Sequence, residues 1–333
     1  MRYRVLGHSD LKISVLGLGF WQIGSRLWNF RNGNVEESSV KIVEKAYSYG
    51  VNFYDTAEIY GGGLSEKYLG LAIKKLGIRD EVIVASKVAG YKHTFNSIIK
   101  SIERSNKRLG FTMDLIQHHW VPPIYGSICR VINTLEKTVE DRLASYYGLS
   151  NYGERELKKA LECVKKIEPV SNQVQYNLGY RVVENQLKPY MEKKGLTLIA
   201  WSPLAKGSLA GLKKPLSKAQ RKDPVFKAVI QDSELLNVLE DIARKHNVPV
   251  SAISLAWLIE MNTIPIPGTR SPRRVDEYVQ AVKIKLDQKD LSLLDKVSRK
   301  YVVKWGKRYN SLGGLRYIPG FLQHLYITLF GGI

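Results

Sequence analysis

The sequence predicts an α/β protein whose strand–helix units close into a (β/α)8 barrel. Short apolar segments of strand type alternate with amphipathic helical segments almost to the end of the chain. Such alternation is typical of a parallel sheet that carries its helices on the outside. Eight units can be counted, and the 333 residues contain no break that indicates a domain boundary. Eight units over this length favour a closed barrel over an open doubly wound sheet.

The elements follow one another in a regular order. Two short strands around the turn Gly7-His8-Ser9-Asp10 predict an N-terminal β-hairpin at the bottom of the barrel. Short apolar runs then predict barrel strands over residues 14–18, 51–55, 82–87, 113–119, 147–150, 170–176, 197–201 and 263–267. Helical spacing of apolar residues predicts helices over 36–49, 66–76, 96–109, 128–143, 154–165, 184–194, 233–246, 251–261, 273–282 and 288–302. A long loop covers 202 to about 230.

The sequence divides into a barrel domain, residues 1–303, and a C-terminal extension, residues 304–333. The extension is apolar and aromatic, and glycine and proline interrupt it. We expect it to fold over the barrel mouth and to form a wall of the substrate pocket. A peripheral membrane anchor or a partner surface is the less favoured alternative, because its basic residues form no stripe opposite an apolar face.

The chain is strongly basic, with 51 Lys and Arg against 31 Asp and Glu and a formal charge of +20. Binding of nucleic acid is therefore one alternative to consider. The basic residues are spread over helix faces, as at Lys158 and Lys159, and form no stripe interleaved with aromatic residues. We expect no nucleic-acid partner, and the charge favours an anionic ligand.

Cysteine content and the N-terminus bear on redox chemistry and location. Cys129 and Cys163 lie far apart in predicted helices, which argues against a disulfide framework, and no cluster has the spacing of metal ligands. The N-terminus lacks the apolar core of a signal peptide, and no apolar run reaches membrane-spanning length. We expect a cytoplasmic protein with no metal and no membrane partner.

Candidate catalytic residues stand at successive strand ends. Asp55, Lys87 and His119 end the second, third and fourth predicted strands, and Tyr60 lies in the loop after the second. In a barrel these ends face one side and converge. An ammonium group beside a phenol lowers the phenol pKa, so Lys87 is expected to make Tyr60 an acid, with Asp55 keeping Lys87 charged. His119 can donate a hydrogen bond to a carbonyl oxygen.

A dinucleotide fingerprint at Gly17-Leu18-Gly19 was the other cofactor motif to consider. The third glycine of G-x-G-x-x-G would fall at position 22, where Gln22 stands, and no acid closes a second strand at the expected distance. The Rossmann interpretation therefore fails.

Several longer motifs occur together in the sequence. They are FYDTAEIYG at 53–61 followed by Ser65-Glu66, DLIQHHW at 114–120, GLSN at 148–151, NQVQYN at 172–177, WSPL at 201–204 and IPIPGTRS at 264–271. In this order they resemble the aldo-keto reductase family over about residues 3–300. The resemblance implies an NADP-dependent carbonyl reductase with a catalytic tetrad of Asp55, Tyr60, Lys87 and His119.

The same resemblance implies a set of cofactor-binding residues. Ser150, Asn151 and Gln173 would hold the nicotinamide carboxamide, and the Trp201 ring would stack on the nicotinamide. The remaining assignments are Ser202, Leu204 and Gly207 to the pyrophosphate, Arg270, Ser271 and Arg274 to the adenosine 2′-phosphate, and Glu277 to the adenine. Tyr278 stands where the family usually has an asparagine that contacts adenine, so the contact of this position with adenine is either stacking or absent.

The substrate side depends on residues in the loops. Trp21, Trp28, Ile59, Tyr91 and Trp120 could line an aromatic pocket at the barrel mouth, although aromatic residues more often pack in a core. The function that follows is NADPH-dependent, reversible reduction of a small aldehyde or ketone, with Tyr60 supplying the proton. The alternative is an NADPH-binding redox sensor or regulatory subunit with little turnover.

Overall fold

A computed structural model describes residues 1–28 and 34–330 of the chain. Its strands are β1 (Tyr3–Val5), β2 (Lys12–Ser14), β3 (Leu18–Gly19), β4 (Phe53–Asp55), β5 (Ile83–Val88), β6 (Met113–His118), β7 (Ala144–Ser150), β8 (Ser171–Gln175), β9 (Thr197–Trp201) and β10 (Ile264–Pro265). Its α-helices are α1 (Val35–Ser48), α2 (Leu64–Leu76), α3 (Phe95–Leu109), α4 (Ile128–Glu140), α5 (Glu154–Glu162), α6 (Leu187–Lys193), α7 (Lys218–Arg221), α8 (Pro224–Ile230), α9 (Ser233–His246), α10 (Val250–Glu260), α11 (Pro272–Val279), α12 (Gln288–Ser298) and α13 (Gly320–Phe330).

Strands β3 to β10 form one parallel, eight-stranded sheet in the order of the sequence. The sheet returns on itself, because Gly17 N–H donates to the carbonyl of Pro265 and Gly19 N–H to that of Pro267, each at 3.0 Å. Apolar residues of the outer strand faces pack against the surrounding helices in one large core. The predicted (β/α)8 barrel is confirmed.

The two glycines of the rejected dinucleotide motif serve the closure of the barrel. A Cβ atom at Gly17 would lie 2.6 Å from Cδ1 of Phe53, and one at Gly19 would lie 3.0 Å from the carbonyl oxygen of Ile266. Neither position has room for a side chain without movement of its neighbours. The glycines therefore allow β3 to approach the strands on both sides.

The N-terminal hairpin closes the bottom of the barrel, as predicted. β1 and β2 pair antiparallel, with Arg4 opposite Ile13. Leu6 and Ile13 are fully buried among inward-facing strand residues that include Leu115 and Ile199. This small inner core fills the end of the barrel away from the strand tips that carry polar residues.

Two predicted element boundaries are wrong. The first barrel strand is only Leu18–Gly19, since Ser14 belongs to the hairpin. The loop predicted from 202 to about 230 contains α7 and α8. These helices are too short to show a periodic pattern, and α8 is set by its cap, where Asp223 accepts a hydrogen bond from Phe226 N at 2.7 Å.

The C-terminal extension crosses the face of the barrel that carries the strand tips. After a 3₁₀ turn at Gly313–Tyr317, helix α13 places the amide of Gln323 against the barrel, where it accepts a 3.0 Å hydrogen bond from Trp120 Nε1. Ile327 packs into a cluster with Ile59 and Trp120. Residues 331–333 of the predicted extension lie outside the described residues. Within the described ranges, no helix has the length and apolar character needed to cross a membrane.

Cys129 and Cys163 form a disulfide, which contradicts the prediction made from their separation in the sequence. Cys129 lies in the first turn of α4, and Cys163 directly follows α5. Because α4 and α5 are neighbours around the barrel, the two Cα atoms are 4.9 Å apart although 34 positions separate the residues. Distance along the chain is a poor guide to distance between adjacent barrel helices.

Loss of this disulfide should lower stability. A cross-link between such distant residues restricts the unfolded chain and typically contributes about 2–4 kcal/mol. We expect Cys129→Ala to lower the free energy of unfolding by that amount, as measured by denaturant titration without reductant. A Cys129→Ala/Cys163→Ala variant serves as control, since dithiothreitol should not affect it. Native protein whose unfolding is equally insensitive to dithiothreitol would contradict the expectation.

Candidate active site

Four polar side chains meet at the ends of neighbouring strands. Asp55 ends β4, Lys87 lies near the end of β5, and His119 directly follows β6. Tyr60 begins a 3₁₀ turn, Tyr60–Gly63, after β4. The Tyr60 hydroxyl lies 3.5 Å from His119 Nε2, and Lys87 Nζ lies 5.0 Å from the centre of the Tyr60 ring. The fold therefore brings the four predicted catalytic residues into one group.

Lys87 and Asp55 form a buried ion pair in direct contact. Lys87 Nζ also donates to the carbonyl of Thr56 at 2.8 Å. Burial lowers the Lys87 pKa, and the charge of Asp55 and its hydrogen bond act in the opposite direction. The contact with the Asp55 carboxylate therefore keeps Lys87 charged more readily than an apolar pocket alone would.

The pKa of Tyr60 is raised, in the opposite direction to the one expected from Lys87. Burial raises it well above the ordinary phenol value, and the negative charge of Asp55 adds to the shift. Asp55 lies against the ammonium of Lys87 and offsets part of its charge, so burial outweighs the effect of Lys87 on the pKa of the phenol. The Tyr60 hydroxyl therefore keeps its proton at neutral pH and can act as a donor.

His119 is a neutral imidazole at physiological pH. Burial, followed by the charge of Lys87, lowers its pKa well below the ordinary value. Its Nδ1 atom is buried without a hydrogen-bond partner among the described residues. A buried N–H without an acceptor is rarer than a buried acceptor without a donor, so the proton belongs on Nε2. This N–H group points towards the Tyr60 hydroxyl.

His118, the adjacent histidine, lies outside this group. Its Nδ1 atom is 2.8 Å from the Tyr152 hydroxyl, and its Nε2 atom is 3.2 Å from the carbonyl oxygen of Lys92. Alternation along β6 turns it away from Tyr60. Burial lowers its pKa to about 4.

A cavity of about 730 Å³ extends from the four-residue group to the start of α11. Asp55, Tyr60 and His119 lie on its wall, whereas Lys87 lies behind them. The predicted cofactor residues on the wall are Ser150, Asn151, Gln173, Trp201, Ser202, Leu204, Gly207, Arg270, Ser271 and Arg274. The fold thus collects residues at or near the ends of β4, β6, β7, β8 and β9, and residues of the segments that follow β4, β9 and β10, around one opening.

Glu277 does not line the cavity, so its predicted contact with adenine is not supported by its position. Its carboxylate accepts a 2.6 Å hydrogen bond from Arg274 Nη1 and so holds that side chain in place. Tyr278 does line the cavity, and its hydroxyl donates to the carbonyl of Gly268 at 3.2 Å. Arg270 Nη1 donates to the carbonyl of Trp28 at 2.6 Å.

Four of the five predicted substrate residues line the cavity and one does not. Trp21, Trp28, Ile59 and Trp120 line the cavity. Tyr91 does not, because it packs behind Trp120, with ring centres 6.2 Å apart, and its hydroxyl lies 3.0 Å from His324 Nδ1 of α13. It belongs to the contact between the barrel and the extension.

Several polar residues near the site are not among those predicted from the sequence. Gln117 Nε2 donates to Asp55 Oδ2 at 3.1 Å, and its place two residues before His119 on the same strand face was a usable signal. Lys206 forms a 2.7 Å ion pair with Asp223, and both line the cavity. Tyr309 of the extension donates to Asn151, a contact for which the sequence offers no signal.

The fold and the site together define an oxidoreductase-like (β/α)8 barrel, with a proton-bearing tyrosine and histidine beside a buried Lys–Asp pair. The family model described as "Aldo/keto reductase family" matches residues 15–299. The chain belongs to this family, and the prediction that it is an enzyme of the aldo-keto reductase type is confirmed.

Three known proteins show the extent of the similarity. The chloroplastic pyridoxal reductase of Arabidopsis thaliana is 30% identical over 88% of this chain and 86% of its own length. The thermostable aldo-keto reductase Tm1743, solved with the inhibitor epalrestat, has a TM-score of 0.75 at 30% identity and covers 89% of this chain and 100% of its own. A Klebsiella pneumoniae aldo-keto reductase solved with NADPH has a TM-score of 0.76 at 24% identity, covering 93% and 99% respectively.

The buried histidines predict a loss of stability in mild acid. His118 in the folded protein has a pKa of about 4, below its ordinary value, so the unfolded chain binds more protons between the two values. Stability therefore falls as the pH drops through this window. Between pH ~6.5 and ~4.5, we expect the free energy of unfolding of the native protein to fall by about 2 kcal/mol more than that of His118→Gln. Urea unfolding at both pH values measures the two changes. Tyr317→Phe, a change at an exposed residue that removes no imidazole, is the control and should lose as much as the native protein. Equal losses in native protein and His118→Gln would contradict the assignment.

Proposed function

We propose that the protein reduces an aldehyde or ketone to the alcohol with NADPH and that Tyr60 donates the proton. The observation that carries the proposal is the placement of a protonated phenol and a neutral imidazole N–H together on one cavity wall. Both groups can donate a hydrogen bond to the same carbonyl oxygen. NADPH, when bound, supplies the hydride.

The residues of the chain then have distinct tasks. The Nε2–H group of His119 orients the carbonyl oxygen by a hydrogen bond. Tyr60 transfers its proton to that oxygen as negative charge develops on it. The ammonium of Lys87 lies behind the phenol ring and favours the phenolate left after the transfer, while Asp55 fixes the position of Lys87.

The cavity fits a phosphorylated dinucleotide. At the end distant from Tyr60, the side chains of Arg270 and Arg274 provide two positive charges on the wall at the start of α11. A cation at a helix N-terminus opposes the helix dipole, and a bound phosphate would explain its presence there. Gln22 adds a buried amide oxygen without a partner among the described residues, suited to a donor on a ligand. The Klebsiella pneumoniae relative with the same fold holds NADPH.

The substrate end of the cavity favours an aromatic or apolar carbonyl compound. The ring centres of Trp21 and Tyr60 are 6.4 Å apart, and those of Trp120 and His119 are 5.0 Å apart. Aromatic walls of this kind bind flat, uncharged ring systems. Pyridoxal, which the Arabidopsis thaliana relative is named for, is an aromatic aldehyde of this type.

The extension contributes to this end of the cavity. Ser311 and Leu312 lie on its wall, and α13 covers Trp120 from outside. We therefore keep the division into a barrel domain, residues 1–303, and an extension over the mouth, residues 304–333. We also propose a cytoplasmic location. The Cys129–Cys163 disulfide counts against it, because disulfides are rare in most reducing cytosols, and cell fractionation followed by immunoblotting tests it directly.

Replacement of the proton donor should stop reduction without preventing cofactor binding. Tyr60→Phe keeps the aromatic ring but removes the hydroxyl, and general acid catalysis typically contributes ~10²–10⁴-fold. We expect kcat for aromatic aldehydes, followed by NADPH absorbance, to fall by at least about a hundredfold. Tyr47→Phe, whose hydroxyl bonds Glu81 on the surface, is the control and should remain active.

Two results would contradict the mechanism or the activity. A Tyr60→Phe protein that reduces carbonyl compounds at the native rate would exclude Tyr60 as the donor. A native protein that binds NADPH but reduces none of a panel of aldehydes, ketones and quinones would favour a redox sensor or regulatory subunit.

The arginines at α11 should select the phosphorylated cofactor. Charge-assisted hydrogen bonds contribute roughly 1.5–3 kcal/mol each, so Arg274→Ala should weaken NADPH binding about ten- to a hundredfold and NADH binding much less. Fluorescence titration with both cofactors measures the two dissociation constants. Arg273→Ala is the matched control, since Arg273 is exposed on the same helix and does not line the cavity. Equal dissociation constants for NADPH and NADH in the native protein would refute this selection.

A further inference from the structure

Tyr309 is a buried residue of the C-terminal extension, beyond residue 299 where the family match ends. Only 5% of its surface is exposed. Trp305 anchors this part of the extension, because its Nε1 atom donates to the carbonyl of Gly179 at 2.7 Å and its ring stacks on Tyr180. Tyr180 in turn makes an edge contact with the Tyr309 ring at 6.1 Å. Tyr309 is thus held in a fixed position over the ends of β7 and β8.

The Tyr309 hydroxyl makes two hydrogen bonds within the barrel. Its oxygen accepts from the backbone N–H of Gln175 at 3.0 Å. Since a backbone N–H can only donate, the phenol proton is free for the second contact, a 2.7 Å hydrogen bond to Oδ1 of Asn151. The hydroxyl therefore joins the last residue of β8 to the residue that follows β7.

The Asn151 side chain has its full set of hydrogen bonds in this arrangement. Its Oδ1 atom also accepts from Trp201 Nε1 at 3.0 Å. Its Nδ2 atom donates to the carbonyl of His119 at 2.9 Å and to Ser150 Oγ at 3.1 Å. An indole N–H can only donate, so the amide oxygen must face Trp201 and Tyr309. The amide nitrogen consequently faces His119 and Ser150.

We propose that Tyr309 is a positioning residue for the nicotinamide end of the cofactor site. The inference rests on the proposed function, because it takes Asn151 as a ligand of the nicotinamide carboxamide. Two donors hold Asn151 Oδ1, so the amide N–H group faces the position of the carboxamide oxygen. When the cofactor binds, this N–H group donates to the carboxamide oxygen in place of its weaker hydrogen bond to Ser150 Oγ. An amide rotated by half a turn would present an oxygen there and repel the carboxamide oxygen.

Without the phenol O–H group, Asn151 Oδ1 keeps one donor among the described residues, Trp201 Nε1. The Asn151 amide then becomes freer to rotate. The effect should be confined to the nicotinamide end, because the adenine end is formed by Arg270 and Arg274 at α11, on the far side of the cavity. This separation gives the proposal a readout that general loosening of the extension would not reproduce.

The test compares two ligands by isothermal titration calorimetry. NADPH carries the nicotinamide, and 2′-phospho-ADP-ribose lacks it but keeps the rest of the phosphorylated nucleotide. We expect Tyr309→Phe to weaken NADPH about three- to tenfold, the value of one hydrogen bond, and to leave 2′-phospho-ADP-ribose unchanged. In an Asn151→Ala background, Tyr309→Phe should have no further effect on NADPH. Tyr317→Phe, a tyrosine of the extension that is 74% exposed, is the matched control.

A second variant covers the case in which Tyr309→Phe does not fold. Asn151→Asp keeps an oxygen acceptor for both Tyr309 and Trp201 but loses the N–H group, so it should weaken NADPH selectively as well. Unchanged NADPH affinity in this variant, or an equal loss for both ligands in Tyr309→Phe, would overturn the proposal. Native protein that binds 2′-phospho-ADP-ribose but shows no NADPH binding would overturn the proposed function and this inference with it.

Discussion

The buried ion pair between Lys87 and Asp55 is the interaction on which the rest of the site depends. Two charges removed from water cost several kcal/mol each unless their remaining hydrogen-bonding positions are filled. Here they are filled from the neighbouring strands, because Gln117 and Gln173 donate to Asp55 Oδ2 at 3.1 and 2.8 Å. One carboxylate therefore links β4, β5, β6 and β8 at their tips, and the positions of Tyr60 and His119 follow from that junction.

Burial and the ion pair together favour the neutral form of both proton-bearing groups. Burial is the largest cause of both pKa shifts, and each charge of the pair adds to one of them, since Asp55 raises the pKa of Tyr60 and Lys87 lowers that of His119. Burial favours the uncharged form of each, which is the form that carries a proton on the phenol and only one proton on the imidazole.

The parts that the sequence predicted are those set by local pattern. Alternation of strands and helices gave the barrel, and the position of polar residues at strand ends gave Asp55, Lys87, His119 and the neighbouring Tyr60. The predicted direction of the Tyr60 pKa shift was wrong because burial, which depends on the folded cavity, raises the phenol pKa, and the charge of Asp55 adds to this effect. The Cys129–Cys163 bond and the Tyr309–Asn151 contact join residues 34 and 158 positions apart, and only the closed barrel and the folded extension bring them together.

The disulfide has a consequence for one strand in particular. Cys129 and Cys163 close a covalent ring, and β7 lies inside it together with Ser150 and Asn151. Partial opening of the barrel at β7 releases chain that is still tethered at both ends, so the open state gains less entropy than an untethered strand would. A single cut within the ring would also leave the two fragments joined. The strand that carries these two polar residues is therefore protected against local unfolding by a bond on the opposite, outer side of the barrel wall.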